Sequence, residues 1–121
     1  MPTILLDSSN SSASFNEQGT AIITHAFTDF SGTSMVPNTI VWSLLEADGT
    51  VVNSRQQVIV ATPAASIDVV LSGDDLAILD SQKIELRYLV IEYTFDDSTY
   101  GNNLPGKEEV EFRVINLRKI A

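Results

Sequence analysis

An all-β chain, folded as a two-layer antiparallel sandwich of about seven strands, is the expectation here, and three features lead to it. Apolar residues recur at every second position rather than at the helical period, over segments running roughly 3–7, 20–30, 39–47, 50–60, 65–71, 83–96 and 107–117. All six glycines (Gly19, Gly32, Gly49, Gly73, Gly101 and Gly106) fall between those segments, where turns use their conformational freedom and strands cannot spare it. Pro37, Pro63 and Pro105 punctuate the same gaps. At 121 residues the chain is expected to form a single domain, 1–121.

The first segment is the short apolar run Ile4-Leu5-Leu6. It lacks the basic start and longer apolar stretch of a secretory signal, so synthesis in the cytoplasm is expected, with assembly into a particle needing no export. Residues 8–14, Ser-Ser-Asn-Ser-Ser-Ala-Ser, have the composition of a flexible Ser-rich connection; a recognition arm is the alternative. In the second segment Ile22, Thr24, Ala26 and Phe30 share one side, and Ala21, Ile23, His25 and Phe27 the other. Both sides are partly apolar, so the inner one stays open. The third segment carries Trp42, expected as the large central core residue, and ends in Asp48-Gly49. Asp-Gly between apolar runs marks a hairpin, because glycine accepts the positive φ of the turn; the third and fourth strands should therefore be neighbours.

The fifth segment alternates plainly, with Ala65, Ile67, Val69 and Leu71 against Ser66, Asp68 and Val70. After it, Asp74 or Asp75 can cap one helical turn that sends Leu76 and Leu79 toward the core. In the sixth segment Ile84, Leu86, Tyr88 and Val90 oppose Glu85 and Arg87, but from Leu89 onward the second side turns apolar as well: Leu89, Ile91, Tyr93, Phe95. Either a bulge or a covered central strand accounts for this, or Leu89, Ile91 and Tyr93 form an exposed stripe that contacts another subunit. The last segment sets Val110, Phe112 and Val114 inward against Glu109, Glu111 and Arg113.

Composition narrows function. Acids outnumber bases 16 to 7, for a net charge of −9, which argues against nucleic acid and against a membrane surface, since both need clustered Lys and Arg. No cysteine is present, so no thiol nucleophile or Cys-ligated metal exists. His25 is the only histidine, and no Gly-x-Ser-x-Gly surrounds any serine. The pairs Asp74-Asp75, Asp96-Asp97 and Glu108-Glu109 are adjacent residues, which on a strand point to opposite faces rather than across a cleft. Asp96-Asp97-Ser98 with Asn102-Asn103 supplies oxygen atoms, yet lacks the EF-hand spacing for Ca²⁺. No enzyme, cofactor or metal is expected.

Two places suit binding. The stretch 97–106 reads as a long loop carrying Tyr100 among Asn102, Asn103, Ser and Gly, the composition of adaptable recognition loops. Residues 1–54 contain no Lys or Arg, whereas Lys107, Arg113, Arg118 and Lys119 crowd the last fifteen residues. Arg118 and Lys119 are thus candidates for docking on an acidic partner surface.

Thr39-Ile40-Val41-Trp42-Ser43-Leu44-Leu45-Glu46-Ala47-Asp48-Gly49-Thr50-Val51-Val52-Asn53 resembles small Ig-like or fibronectin-III-like proteins encoded among tailed-bacteriophage structural genes. Residues 69–76, 86–105 and 107–112 are similar to them too, so the resemblance spans about residues 20–117 as an order of parts. It implies an Ig-like sandwich, in which Tyr88 would stand as a tyrosine corner. It also implies a virion component (capsid decoration, neck or tail accessory) acting by protein–protein contact with other virion proteins, with a homo-oligomer as one form. A carbohydrate-binding module using the 97–106 loop is the alternative.

Overall fold

The computed structural model describes residues 3–7 (backbone only), 14–79 and 83–116. Eight strands form two sheets: β1 (Thr3–Asp7), β2 (Ser14–Asn16), β3 (Thr20–Ala26), β4 (Thr39–Glu46), β5 (Val58–Ile59), β6 (Ser66–Ser72), β7 (Ile84–Asp97) and β8 (Gly101–Ile115). One sheet has the order β1-β3-β6 and the other β2-β8-β7-β4-β5. Pairing is antiparallel except for β1 on β3 and β2 on β8. The fold is the all-β sandwich expected from the period-two pattern.

The two inner faces close on one core. Phe15, Ala21, Ile23, Trp42, Leu44, Val69, Leu71, Leu89, Ile91, Val110, Phe112 and Val114 are all buried there. In β6 and β8 the inward sets are those the alternation predicts. In β3 the inner side is Ala21, Ile23 and His25, continued by Phe27 beyond the strand's end. His25 is buried and stands edge-on to Phe27 at 4.7 Å. Phe15 meets the Phe112 ring edge-on at 5.4 Å, so Ser14, assigned to the flexible connection, in fact opens a core-packing strand; residues 8–13 lie outside the described residues.

Several expectations are corrected. The segment 50–60 is not a strand. The Asp48-Gly49 turn does close, with the Glu46 amide donating to the Thr50 carbonyl at 2.8 Å, but Asn53, Ser54 and Gln57 then adopt left-handed φ of 52°, 58° and 53°. The segment does neighbour β4 as expected, through an isolated Leu45–Val51 bridge and hydrogen bonds between Leu44 and Val52 and Arg55, but only Val58 and Ile59 form a strand beside it. The helical turn is a short 3-10 turn, Gly73–Leu76. Leu76 is buried as expected, but Leu79 lies half-exposed, because the chain turns extended at Ala77. Tyr88 faces outward from β7 and hydrogen-bonds Glu111 of β8, which raises its phenol pKa; it is a cross-strand partner, not a corner.

The stretch 97–106 is not a loop. β7 and β8 run on as a hairpin to Asp97 and Gly101, leaving only Ser98-Thr99-Tyr100 between them. Two residues suggested a loop and are tolerated in the strand for physical reasons. Pro105 sits where, among the described residues, no strand lies on the other side of β8, since β2 covers only Arg113–Ile115. Gly106 lies directly beneath the Tyr93 ring, and a methyl group there would overlap ring carbons. Gly106→Ala is therefore expected to destabilise the fold by about 1–3 kcal/mol, read as a lower urea midpoint at unchanged slope. Most of the loss should be recovered in a Tyr93→Leu background, where the ring is gone.

Candidate functional site

One end of the sandwich gathers the connection 27–38 and the β7–β8 hairpin tip. Connection 27–38 folds back on itself. Asp29 Oδ1 accepts the amides of Ser31 and Thr33, both at 2.9 Å. The Asp29 amide donates to the Thr33 carbonyl, also at 2.9 Å, and Gly32 takes φ of 81°. This places Phe30 at the tip of a small turn, with its ring 66% exposed.

The hairpin tip is built the same way. Asp97 Oδ1 accepts the amides of Thr99 and Tyr100 at 2.8 and 3.0 Å. Gly101 closes the three-residue turn at φ 121°. Just below, the register shifts between Phe95 and Asp97, where Asn102 and Asn103 together oppose Asp96 as a bulge. The strain of left-handed Asn103 (φ 55°) is held by Asp96, whose Oδ1 accepts the Asn103 amide at 2.9 Å and the Asn38 side-chain amide at 2.8 Å. Those two bonds, the Asn103 one foremost, keep the Asp96 carboxyl below its ordinary pKa. Asn38 also reaches Asn103 Oδ1, at 3.2 Å, so a single polar cluster ties the two loops together.

The result is a paired aromatic surface. Tyr100 is 67% exposed, and its ring meets Phe30 nearly perpendicularly at 5.2 Å. Phe30 in turn stands 5.6 Å from Phe95. From Phe95 the contacts pass to Tyr93 at 5.9 Å and to Phe27 at 4.8 Å, inside the core. The exposed pair is therefore the outer end of a packed series of rings. The two edge-to-face rings form an exposed apolar projection, and the Asn38–Asp96–Asn103 hydrogen-bond cluster lies on the same two loops. Such a surface binds by burying apolar area and by hydrogen bonding.

Of the residues singled out from the sequence, Tyr100, Asn102 and Asn103 meet at this end and are exposed. Leu89, Ile91 and Tyr93 do not form a contact face. Leu89 and Ile91 are completely buried, and Tyr93 is half-buried against Phe27. The apolar turn in the β7 pattern is the core itself; Ile84, Leu86, Tyr88 and Val90 lie on the other side of the sheet, where Ile84 is exposed, Leu86 and Tyr88 are half-buried and Val90 is covered by its neighbours, the covered central strand that the sequence allowed. Arg118 and Lys119 lie outside the described residues. Phe30, Asn38 and Asp96 were missed. An isolated aromatic in the turn sequence Asp29-Phe30-Ser31-Gly32 was a usable clue, since a ring at a turn has no strand face on which to be buried.

The acidic pairs separate on folding. Asp75 is fully buried at the core's edge, while Asp74 is not. Among the described residues no group of three or more His, Asp or Glu is placed to hold a metal ion. Comparison of the sequence with protein-family models and curated proteins, and of the fold with solved structures, returns no match.

Proposed function

We propose that this chain is a non-enzymatic structural protein of a bacteriophage virion, a decoration, neck or tail accessory, that grips another virion subunit through its aromatic loop end. The observation that carries the proposal is the Phe30–Tyr100 pair, two neighbouring rings about two-thirds exposed on turns already fixed by their own hydrogen bonds. Rigid exposed aromatics lose little conformational freedom on binding and are the residue types on which interface energy concentrates. The setting, synthesis in the host cytoplasm and then residence in the virion, is proposed from the resemblance of residues 20–117 to phage Ig-like modules.

Binding to purified capsid, neck and tail subunits of a tailed phage, chosen from genes found beside this one, tests the proposal. Phe30→Ala and Tyr100→Ala are each expected to weaken the complex by about 1–2 kcal/mol, roughly tenfold. Both positions are exposed, so thermal stability should move by no more than about 0.5 kcal/mol. Full retention of binding in the double variant would remove this end of the molecule as the contact.

One observation favours a second reading. A glycan site usually needs more than one exposed aromatic, and Phe30 supplies the second beside Tyr100, with Asn102 and Asn103 adjacent. A carbohydrate-binding module would give a glycan-array signal that disappears on Tyr100→Ala, with no binding to virion subunits.

A further inference from the structure

The open edges of the two sheets are not equally protected. β5 is two residues long, β2 three and β1 five; the side of β8 that β2 leaves open is longer, Gly101–Phe112, but it carries Pro105, Lys107 and the bulge at Asn102-Asn103, whereas β6 presents seven residues, Ser66–Ser72, and among the described residues no strand pairs with its outer side. The hydrogen-bond phase of that edge follows from its flanks. The Phe27 amide donates to the Ala65 carbonyl at 2.8 Å, and the Gly73 amide to the Gly19 carbonyl at 3.0 Å. The odd-numbered residues of β6 therefore bond to β3, and the amides and carbonyls of Ser66, Asp68 and Val70 point to the open side. The Ser72 amide is taken by Asp75, at 3.1 Å.

Natural edge strands are normally blunted by an inward charge, a lysine, a proline or a bulge. Within Ser66–Ser72 β6 has no lysine, proline, bulge or inward charge; its one protecting feature is the exposed carboxylate of Asp68. Its inner residues are Ile67, Val69 and Leu71, and its exposed side carries Val70, 54% exposed, beside Asp68.

We infer that the β6 edge is a self-association surface that pairs antiparallel with β6 of a second copy of this chain. The sequence Ser66-Ile67-Asp68-Val69-Val70-Leu71-Ser72 reads nearly alike in both directions. A two-fold axis at Val69 sets serine opposite serine, Ile67 opposite Leu71, and Asp68 opposite Val70. The only charge on the strand then meets an apolar side chain of the other copy instead of a second carboxylate. The same register makes Asp68/Val70 fully hydrogen-bonded pairs, as the phase of the edge requires, while at each end only the Ser66 amide donates, to the Ser72 carbonyl of the other copy, because the Ser72 amide is held by Asp75. A parallel, in-register neighbour would stack Asp68 on Asp68 and is disfavoured. The product is a two-fold dimer with one six-stranded sheet, β1-β3-β6 continued into its copy, which leaves both aromatic loop ends open for another partner.

Sedimentation equilibrium of the full chain, from about 10 μM to about 1 mM at physiological salt, tests this in the affinity range of a small contact. A concentration-dependent dimer is expected, strengthened by salt because each copy carries −9. Val70→Asp places an acid opposite Asp68 twice per dimer and should weaken association about tenfold, whereas Val70→Lys should retain or tighten it. The variant lacking both Phe30 and Tyr100 rings should dimerise like the parent chain. Thermal melting of each variant verifies that the exposed substitutions leave the fold intact. A monomer throughout, equal effects of the two Val70 substitutions, or loss of the dimer on removing the two rings would each overturn the inference.

Discussion

Arg87→Ala is expected to lower the unfolding free energy by about 3–5 kcal/mol, the usual cost of breaking one half of a buried ion pair. Arg87 is 2% exposed, and its Nη2 lies 2.6 Å from Glu85 Oε1. The same nitrogen donates to the Ala77 carbonyl at 3.1 Å, and Nη1 to the Leu86 carbonyl at 2.8 Å. Glu85 Oε1 also accepts the Leu79 amide, at 2.9 Å. The pair therefore closes the end of the core and ties the connection after the 3-10 turn to β7. Truncating Arg87 leaves a cavity, two carbonyls without this donor, and a buried carboxylate without its counter-charge. Urea denaturation should show a large fall in midpoint at unchanged slope. The informative companion is Glu85→Leu with Arg87→Leu. Replacing both charges removes the need to desolvate them, so the double variant should recover to within about 1–2 kcal/mol of the parent. A double variant as unstable as Arg87→Ala would mean that the hydrogen bonds to Ala77 and Leu86, not the ion pair, carry the effect.

Asp75→Ala is the second large effect, about 2–3 kcal/mol by loss of several charge-assisted hydrogen bonds. Asp75 Oδ1 accepts Arg55 Nε and Asn53 Nδ2, both at 2.8 Å. Its Oδ2 accepts Arg55 Nη2 at 3.3 Å and the Ser72 amide at 3.1 Å. One carboxylate thus fastens the left-handed 53–57 segment to the end of β6. The cost is set below that of Arg87 because the Arg55 side chain is 41% exposed and can rehydrate. Burial by itself pushes the Asp75 carboxyl up, but the bonds from Arg55, Asn53 and Ser72, with the Arg55 charge, outweigh it and hold the folded-state pKa below the ordinary carboxylate value. The sign follows: the unfolded chain binds the proton more readily, so this contribution is complete above the unfolded pKa of about 3.9 and fades as pH falls below it. The stability difference between the parent and Asp75→Ala should accordingly shrink below about pH 4. A difference that stays constant down to pH 2 would show that packing, not charge, is at work.

Much of the architecture was legible in the residues. β6 and β8 alternate so regularly that Ile67, Val69, Leu71, Val110, Phe112 and Val114 could be placed in the core directly, and Asp48-Gly49 marked its turn. The misreadings share one cause: a local pattern met a tertiary partner that changed its meaning. Gly106 and Pro105 look like loop residues until Tyr93 covers the first and the absence of a flanking strand excuses the second. The segment 50–60, with valines at both ends, looks like a strand until Asp75 captures Asn53 and Arg55. Leu89 and Ile91 look like an exposed stripe only if Ile84–Val90 is taken as the inner side.

Half of the candidate site was visible as well. Tyr100, Asn102 and Asn103 announced themselves by composition, whereas Phe30 is seventy positions away along the chain and was read as the end of the second strand, although the turn residues around it offered a clue. What the amino-acid order determined was the period-two pattern, the positions of the turns and hence two layers around one core. What the tertiary structure decided was which face of β3 and β7 turns inward, and that the 27–38 turn stands beside the hairpin tip. The physical reason is that alternation sorts residues into two sets without saying which is buried. When both sets are apolar, only cross-strand register and the shape of the opposing sheet choose between them.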